Sequence, residues 1–141
     1  MAAELFVDTA GWGCFVDAKH PLHAKADTVI STARKSQRIL VTTNYIVNEL
    51  SVLLKSRLHL RHEQVVAFID FLYADPQSNV IHIDRPTHED AWRLYVQHQD
   101  KEWSLVDTSS FIVMRQRNIQ EALTTDQHFA QASFTRVPLG Q

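Results

Sequence analysis

Glycine is scarce in this chain: only Gly11, Gly13 and Gly140 occur among 141 residues. Loops that cradle phosphates depend on glycine, because the backbone must turn tightly or approach the ligand closely. Gly11-Trp12-Gly13 lacks the third glycine of a dinucleotide fingerprint, and the GxxxxGK(S/T) pattern does not occur. One cysteine, Cys14, excludes an internal disulfide framework and suits a reducing cytosol. Charge of one sign is not in excess: 14 basic against 16 acidic residues give a net charge of −2. No overall basic field therefore marks a nucleic-acid binder, although a local basic strip remains open. No apolar run approaches the roughly 20 residues of a membrane helix. The start, MAAELFVDTAGW, has no basic segment leading into an apolar one, so no secretory leader is expected. Repeats, low-complexity tracts and Pro/Gly-rich linkers are absent too. The expectation is one cytoplasmic domain over residues 1–141 with no membrane association.

What is present is ordinary globular material, 45% hydrophobic and 21% charged, long enough to bury a real core. Short apolar runs read as buried strands at Leu5–Val7, Ile39–Thr42, Val80–Ile83, Ala122–Thr124 and Thr135–Leu139. Longer segments carry helical period. Residues 44–59 set Ile46, Leu50, Leu53, Leu54 and Leu58 on one arc, and 62–74 do the same with Val65, Val66, Ile69 and Leu72. Thr87-His88-Glu89-Asp90 has the pattern of a capping box opening a helix to about Gln99, and Phe111, Ile112 and Met114 drive another over 107–118. Strands alternating with such helices predict a parallel sheet covered on both faces, with the site beyond the carboxyl ends of the strands.

Acids stand at those ends. Asp8, Asp84 and Asp126 follow strands, and Asp107 ends the short Trp-Ser-Leu-Val approach to a helix. Each is suited to an N-cap, where a carboxylate accepts bonds from the free N–H groups of the first turn. Glu49 does not fit that reading, since its place on the 44–59 helix is at the rim of the buried arc. Asp8, Glu49, Asp107 and Asp126 gathered on one rim would form a cluster of like charges that only protons or cations stabilise. Hard divalent ions prefer oxygen ligands, so Mg²⁺ or Mn²⁺ is the natural occupant, and such ions activate water against phosphodiesters. His20-x-x-His23 and His59-x-x-His62 lack further ligands nearby in sequence and read as surface histidines.

These residues carry a resemblance. FVDTAGW at 6–12, TTNYIVNEL at 42–50, EWSLVDTSSF at 102–111 and ALTTDQHFAQASF at 122–134 make the chain similar, nearly end to end, to PIN-domain proteins of the VapC toxin type. The resemblance implies a three-layer α/β/α sandwich with a central, mainly parallel sheet of about five strands. It implies an Mg²⁺- or Mn²⁺-dependent endoribonuclease, the toxin of a toxin–antitoxin pair. The implied acidic set is Asp8, Glu49, Asp107 and Asp126, with Thr9 and Ser110 in supporting positions. A small antitoxin covering the cleft and a homodimer are further implications. One departure stands out: many relatives read Asp-Thr-Ser after the first strand, where this chain reads Asp8-Thr9-Ala10. Asp84 has no place in the family motif and reads as a loop or cap residue.

Lys55, Arg57 and Arg61, with His59 and His62, form a basic stretch suited either to RNA phosphates or an acidic partner, or simply to a solvated helix end. Arg115 and Arg117 admit the same two readings. Trp12 could stack on a base but reads better as a core or interface anchor, and Trp92 and Trp103 are expected in the core. Two other functions compete with the nuclease. A non-catalytic relative would keep the fold as a binding module. A phosphoacceptor domain using Asp84 would need an acidic pair after the first strand and a Lys after the fifth, where this chain has Asp8 and Arg136.

Overall fold

A computed structural model describes residues 3–138. Five strands, β1 (Leu5–Val7), β2 (Leu40–Thr43), β3 (Ser78–Ile81), β4 (Glu121–Thr124) and β5 (Thr135–Pro138), form one parallel sheet in the order β3-β2-β1-β4-β5. β1 is central, with Phe6 facing Val41 on one side and Ala122 on the other. Every residue of β1 and β2 is buried, as continuous apolar runs covered on both faces require.

The connections carry α1 (Thr9–Val16) and α2 (His23–Lys35) before β2, then α3 (Asn44–Ser56) and α4 (His62–Ala74) before β3. α5 (Arg85–Gln97) and α6 (Leu105–Gln116) precede β4, and α7 (Gln127–Gln131) precedes β5. The first two crossovers step one way along the sheet and the last two step the other way. Right-handed crossovers then place α1–α4 on one face and α5–α7 on the opposite one. The packing agrees: α1 meets α2 and α3, while α6 meets α5 and α7. The result is the three-layer α/β/α architecture. The reversal point lies between β1 and β4, whose carboxyl ends open the crevice where ligands of such sheets bind.

α1 approaches β4 so closely that a Cβ at Gly11 would lie 2.3 Å from the carbonyl oxygen of Leu123. Only glycine permits that approach. Across the sheet, an aromatic tier fixes the other wall. Phe111 of α6 is 5.1 Å edge-on from both Trp103 and Phe129, and the Trp103 indole N–H donates to Gln131 at 3.0 Å.

Several sequence expectations shift. β3 occupies 78–81 rather than 80–83, because its ladder with β2 pairs Leu40 with Ser78 and Thr43 with Ile81. The N-cap of α5 is Asp84, whose carboxylate accepts from the Thr87 N–H at 3.0 Å. Thr87 therefore belongs to the first turn, buried inside the helix, and does not cap it. Val66 and Trp92 point outward, 43% and 51% exposed, while Trp12 and Trp103 are core residues as expected. Trp92 instead stacks on Tyr95 along the outer face of α5. The expected last strand extends to Leu139, which lies outside the described residues. Among the described residues, no helix is long and apolar enough to cross a membrane.

Candidate active site

A cleft of about 860 Å³ opens at the carboxyl ends of β1 and β4. Asp8, Thr9, Glu49, Asp107, Ser110 and Asp126 all line it, so the structure brings every residue of the expected acidic set to one place. They do not lie equally close. Asp107 and Asp126 can present ligand atoms within 4.8 Å of one another, and the third member of that group is His128. Asp8 and Glu49 stand outside that group.

Asp8 is both cap and buried charge. One carboxylate oxygen accepts from the Gly11 N–H at 2.8 Å, and the other accepts from the Thr124 hydroxyl at 2.6 Å. Burial pushes its pKa up to about 7; those two bonds oppose the shift, and the charges of Asp126 and Asp107 add to it. A carboxyl raised this far gives up its proton more readily when positive charge is brought beside it.

Asp107 does not begin its helix. Ser104 is the N-cap of α6, and the two residues form a reciprocal capping box. The Asp107 N–H donates to the Ser104 hydroxyl at 3.0 Å, and the Ser104 N–H donates to the Asp107 carboxylate at 2.9 Å. Burial raises the Asp107 pKa, the Ser104 N–H works against it, and the nearby Asp126 charge raises it further. So Trp103-Ser104-Leu105-Val106-Asp107 works as a unit. The indole anchors the approach to α7, the serine caps, and the aspartate spends one oxygen on the cap.

Asp126 caps α7, accepting from the His128 N–H at 2.9 Å, while its own N–H donates to Thr124 Oγ1. Thr124 thereby joins Asp8 to Asp126 across the two central strands. Glu49 projects from the exposed edge of α3 and accepts a short hydrogen bond from the Thr9 hydroxyl. Ser110 is buried, and its hydroxyl donates back to Val106 O at 2.9 Å. Thr108 and Ser109 bond likewise to carbonyls of the preceding turn. That is how three consecutive polar side chains are buried without orphaned donors.

Of the basic stretch, Arg57 lines the cleft, whereas Lys55 and Arg61 do not. Lys55 lies 3.2 Å from His62, and Arg61 is 3.9 Å from Glu63 at the exposed start of α4. Arg117 is bound by Glu4 at 2.7 Å. His59 and His62 are exposed as expected, but His20 and His23 are half-buried. His20 accepts the Leu22 N–H, and His23 Nδ1 is 3.0 Å from the Cys14 carbonyl. Asp84, exposed at the head of α5, lies outside the cleft. The cleft residue that sequence reasoning passed over is His128, whose Nδ1 lies 2.9 Å from the Asp107 carboxylate. Its signal was Asp126-Gln127-His128, an acid and an imidazole separated by one residue at a helix start.

A five-stranded parallel sheet in this order, with carboxylates over the switch point between β1 and β4, defines a PIN-like α/β/α protein. The comparisons with known proteins narrow the class. No protein-family model matches the chain. It is 31% identical over 133 residues to the 23S rRNA-specific endonuclease VapC20 of Mycobacterium tuberculosis, across 94% of this chain and 97% of that one. The crystal structure of that VapC20, described as a sarcin–ricin-loop-cleaving toxin, matches with a TM-score of 0.81 at 30% identity and the same coverage. FitAcB from Neisseria gonorrhoeae shares the fold, with a TM-score of 0.63 at 15% identity over 95% of this chain and 96% of that one. The chain belongs to the VapC family of PIN-domain toxins, which are endoribonucleases.

Proposed function

We propose that this endoribonuclease uses a divalent cation, Mg²⁺ or Mn²⁺, held in the β1/β4 cleft to hydrolyse a phosphodiester of structured RNA. The observation that carries the reading is the convergence of Asp8, Glu49, Asp107 and Asp126 from four separate stretches of chain onto one cleft. Such a cluster repels a phosphodiester unless a cation intervenes. The oxygen donors of Asp107 and Asp126, at mutual ligand distance, fit a hard divalent ion. When bound, that ion supplies an activated water and neutralises charge developing on the phosphate oxygens.

The chain's own groups do the rest. Asp107 and Asp126 would hold the ion, and Asp8, lining the same cleft, would add its negative charge. Glu49, oriented by the Thr9 hydroxyl, receives a proton from the attacking water. Ser110 shapes the α6 wall beneath Asp107. Arg57 contacts a substrate phosphate at the cleft edge, and Lys55 at the end of α3 and Arg61 at the N-cap of α4 extend the basic track outside the cleft. The similarity to VapC20 favours a ribosomal RNA loop as substrate. The family resemblance carried by the sequence motifs supports a further reading: a cytoplasmic, homodimeric toxin whose small antitoxin partner covers the acidic cleft.

The test is incubation of the purified chain with ribosomal and transfer RNAs in Mg²⁺, Mn²⁺ or EDTA, beside Asp107→Asn. Asparagine can still accept from the Ser104 N–H but has no charge. Cleavage should require the metal and fall at least about a hundredfold in the variant, beyond what loss of an outer-layer partner costs. Cleavage that survives both EDTA and the substitution overturns the site.

A further inference from the structure

His128 stands where a ligand would stand. Its Nδ1 is 2.9 Å from the Asp107 carboxylate and 3.2 Å from that of Asp126. Two adjacent ligands of an octahedral ion, each about 2.1 Å from it, are about 3.0 Å apart. Both distances from His128 therefore match a coordination edge, and the ligand atoms of all three side chains lie within 4.8 Å of one another. The backbone that carries the ring is anchored on both sides. The His128 N–H is bound by Asp126, and the next residue, Phe129, is buried between Phe6 and Phe111. The imidazole is mostly shielded, with 21% of its side chain exposed.

We propose, resting on the metal-dependent reading above, that His128 coordinates the cation directly through Nδ1, and that this nitrogen makes the site select Mn²⁺ or another first-row transition ion over Mg²⁺. Mg²⁺ takes oxygen ligands and holds its waters tightly, whereas imidazole nitrogen favours transition ions. In the bound form the Nδ1 lone pair is the donor and the ring proton resides on Nε2. A site of carboxylates alone has no such preference built in. Here one nitrogen beside two carboxylates supplies it.

The experiment uses the full chain stripped of metal. Mn²⁺ is added below one equivalent, and electron spin-echo modulation is recorded for coordinated ¹⁴N. Calorimetric titration with Mn²⁺ and with Mg²⁺ gives the two affinities. His128→Asn is measured alongside, with His20→Asn as the control for the other cleft histidine. The wild type should show nitrogen coupling and bind Mn²⁺ at least about tenfold more tightly than Mg²⁺. His128→Asn should lose the coupling and about tenfold in Mn²⁺ affinity, with Mg²⁺ affinity changed less than about twofold. His20→Asn should leave the spectrum as it is. Should His128→Asn fail to fold, the wild-type and His20→Asn spectra decide. Mn²⁺ bound without nitrogen coupling, or with coupling that His20→Asn abolishes, overturns the role of His128 and leaves the nuclease reading standing. A wild-type chain that binds neither ion overturns both.

Discussion

The buried carboxyl of Asp8 sets a pH dependence that can be worked out from its sign. Its folded pKa of about 7 lies above that of an unfolded aspartate. Between roughly pH 4 and 7 the folded chain therefore keeps a proton that the unfolded chain releases. The stability this group contributes is fully present below about pH 4 and is lost as pH rises through 7, on the order of 1–4 kcal/mol. Asp8→Asn keeps an acceptor for the Gly11 N–H and places an amide against Thr124 without the charge. In EDTA the variant should melt several degrees above the wild type at pH 8 and close to it at pH 5. RNA cleavage should be lost at both. Thermal denaturation at the two pH values checks this, and a variant less stable at pH 8 would show that burial of the charge is not what strains the site.

Among the elements, α1 is the one the site depends on most tightly. Its approach to β4 leaves no room for a side chain at Gly11, where the obstacle is backbone and cannot swing aside. Gly11→Ala should cost about 2–4 kcal/mol, more than the helix preference for alanine returns. Urea denaturation measures the loss, and a neutral result would mean that α1 can lift from the sheet freely. The elements that sequence reasoning found were those whose periodicity reports burial on one face. α3 is the clearest case, since Ile46, Leu50 and Leu54 are fully buried. α1, α2 and the five-residue α7 were not foreseen. The first is eight residues long and contains two glycines. The second buries only Ala26, Ile30 and Ala33 and begins at Leu22 without a side-chain cap. Trp92 was misplaced because an aromatic within a helix reads as core by composition, and only packing reveals which side it takes. The four acids were legible because strand-end position and helix register both survive in one dimension. His128 was not, because its relation to Asp107 spans 21 residues and exists only once α6 and α7 meet.

At the scale of the whole molecule, binding of a cation should stabilise the fold by mass action. At about a hundred times its dissociation constant, an ion that binds only the folded chain adds about 2.7 kcal/mol, a rise in melting temperature of roughly 5–10 °C. The gain should be larger at pH 8 than at pH 6, because at the lower pH the cation must displace the Asp8 proton. Differential scanning fluorimetry with Mn²⁺ and EDTA at both pH values measures it, and equal gains would exclude proton competition. The strand order has one more consequence. β1, which leads directly into Asp8, pairs on one side with a strand that begins 116 residues after its own start. During synthesis, a ribosome has made most of the chain before Asp8 has Thr124 and Asp126 beside it. Closing so long a loop is slow relative to local folding. An RNA-cutting protein built this way stays harmless as a nascent chain. It becomes dangerous only late, after α3, α6 and β4 have all emerged, and so leaves an interval in which an inhibitor can be waiting.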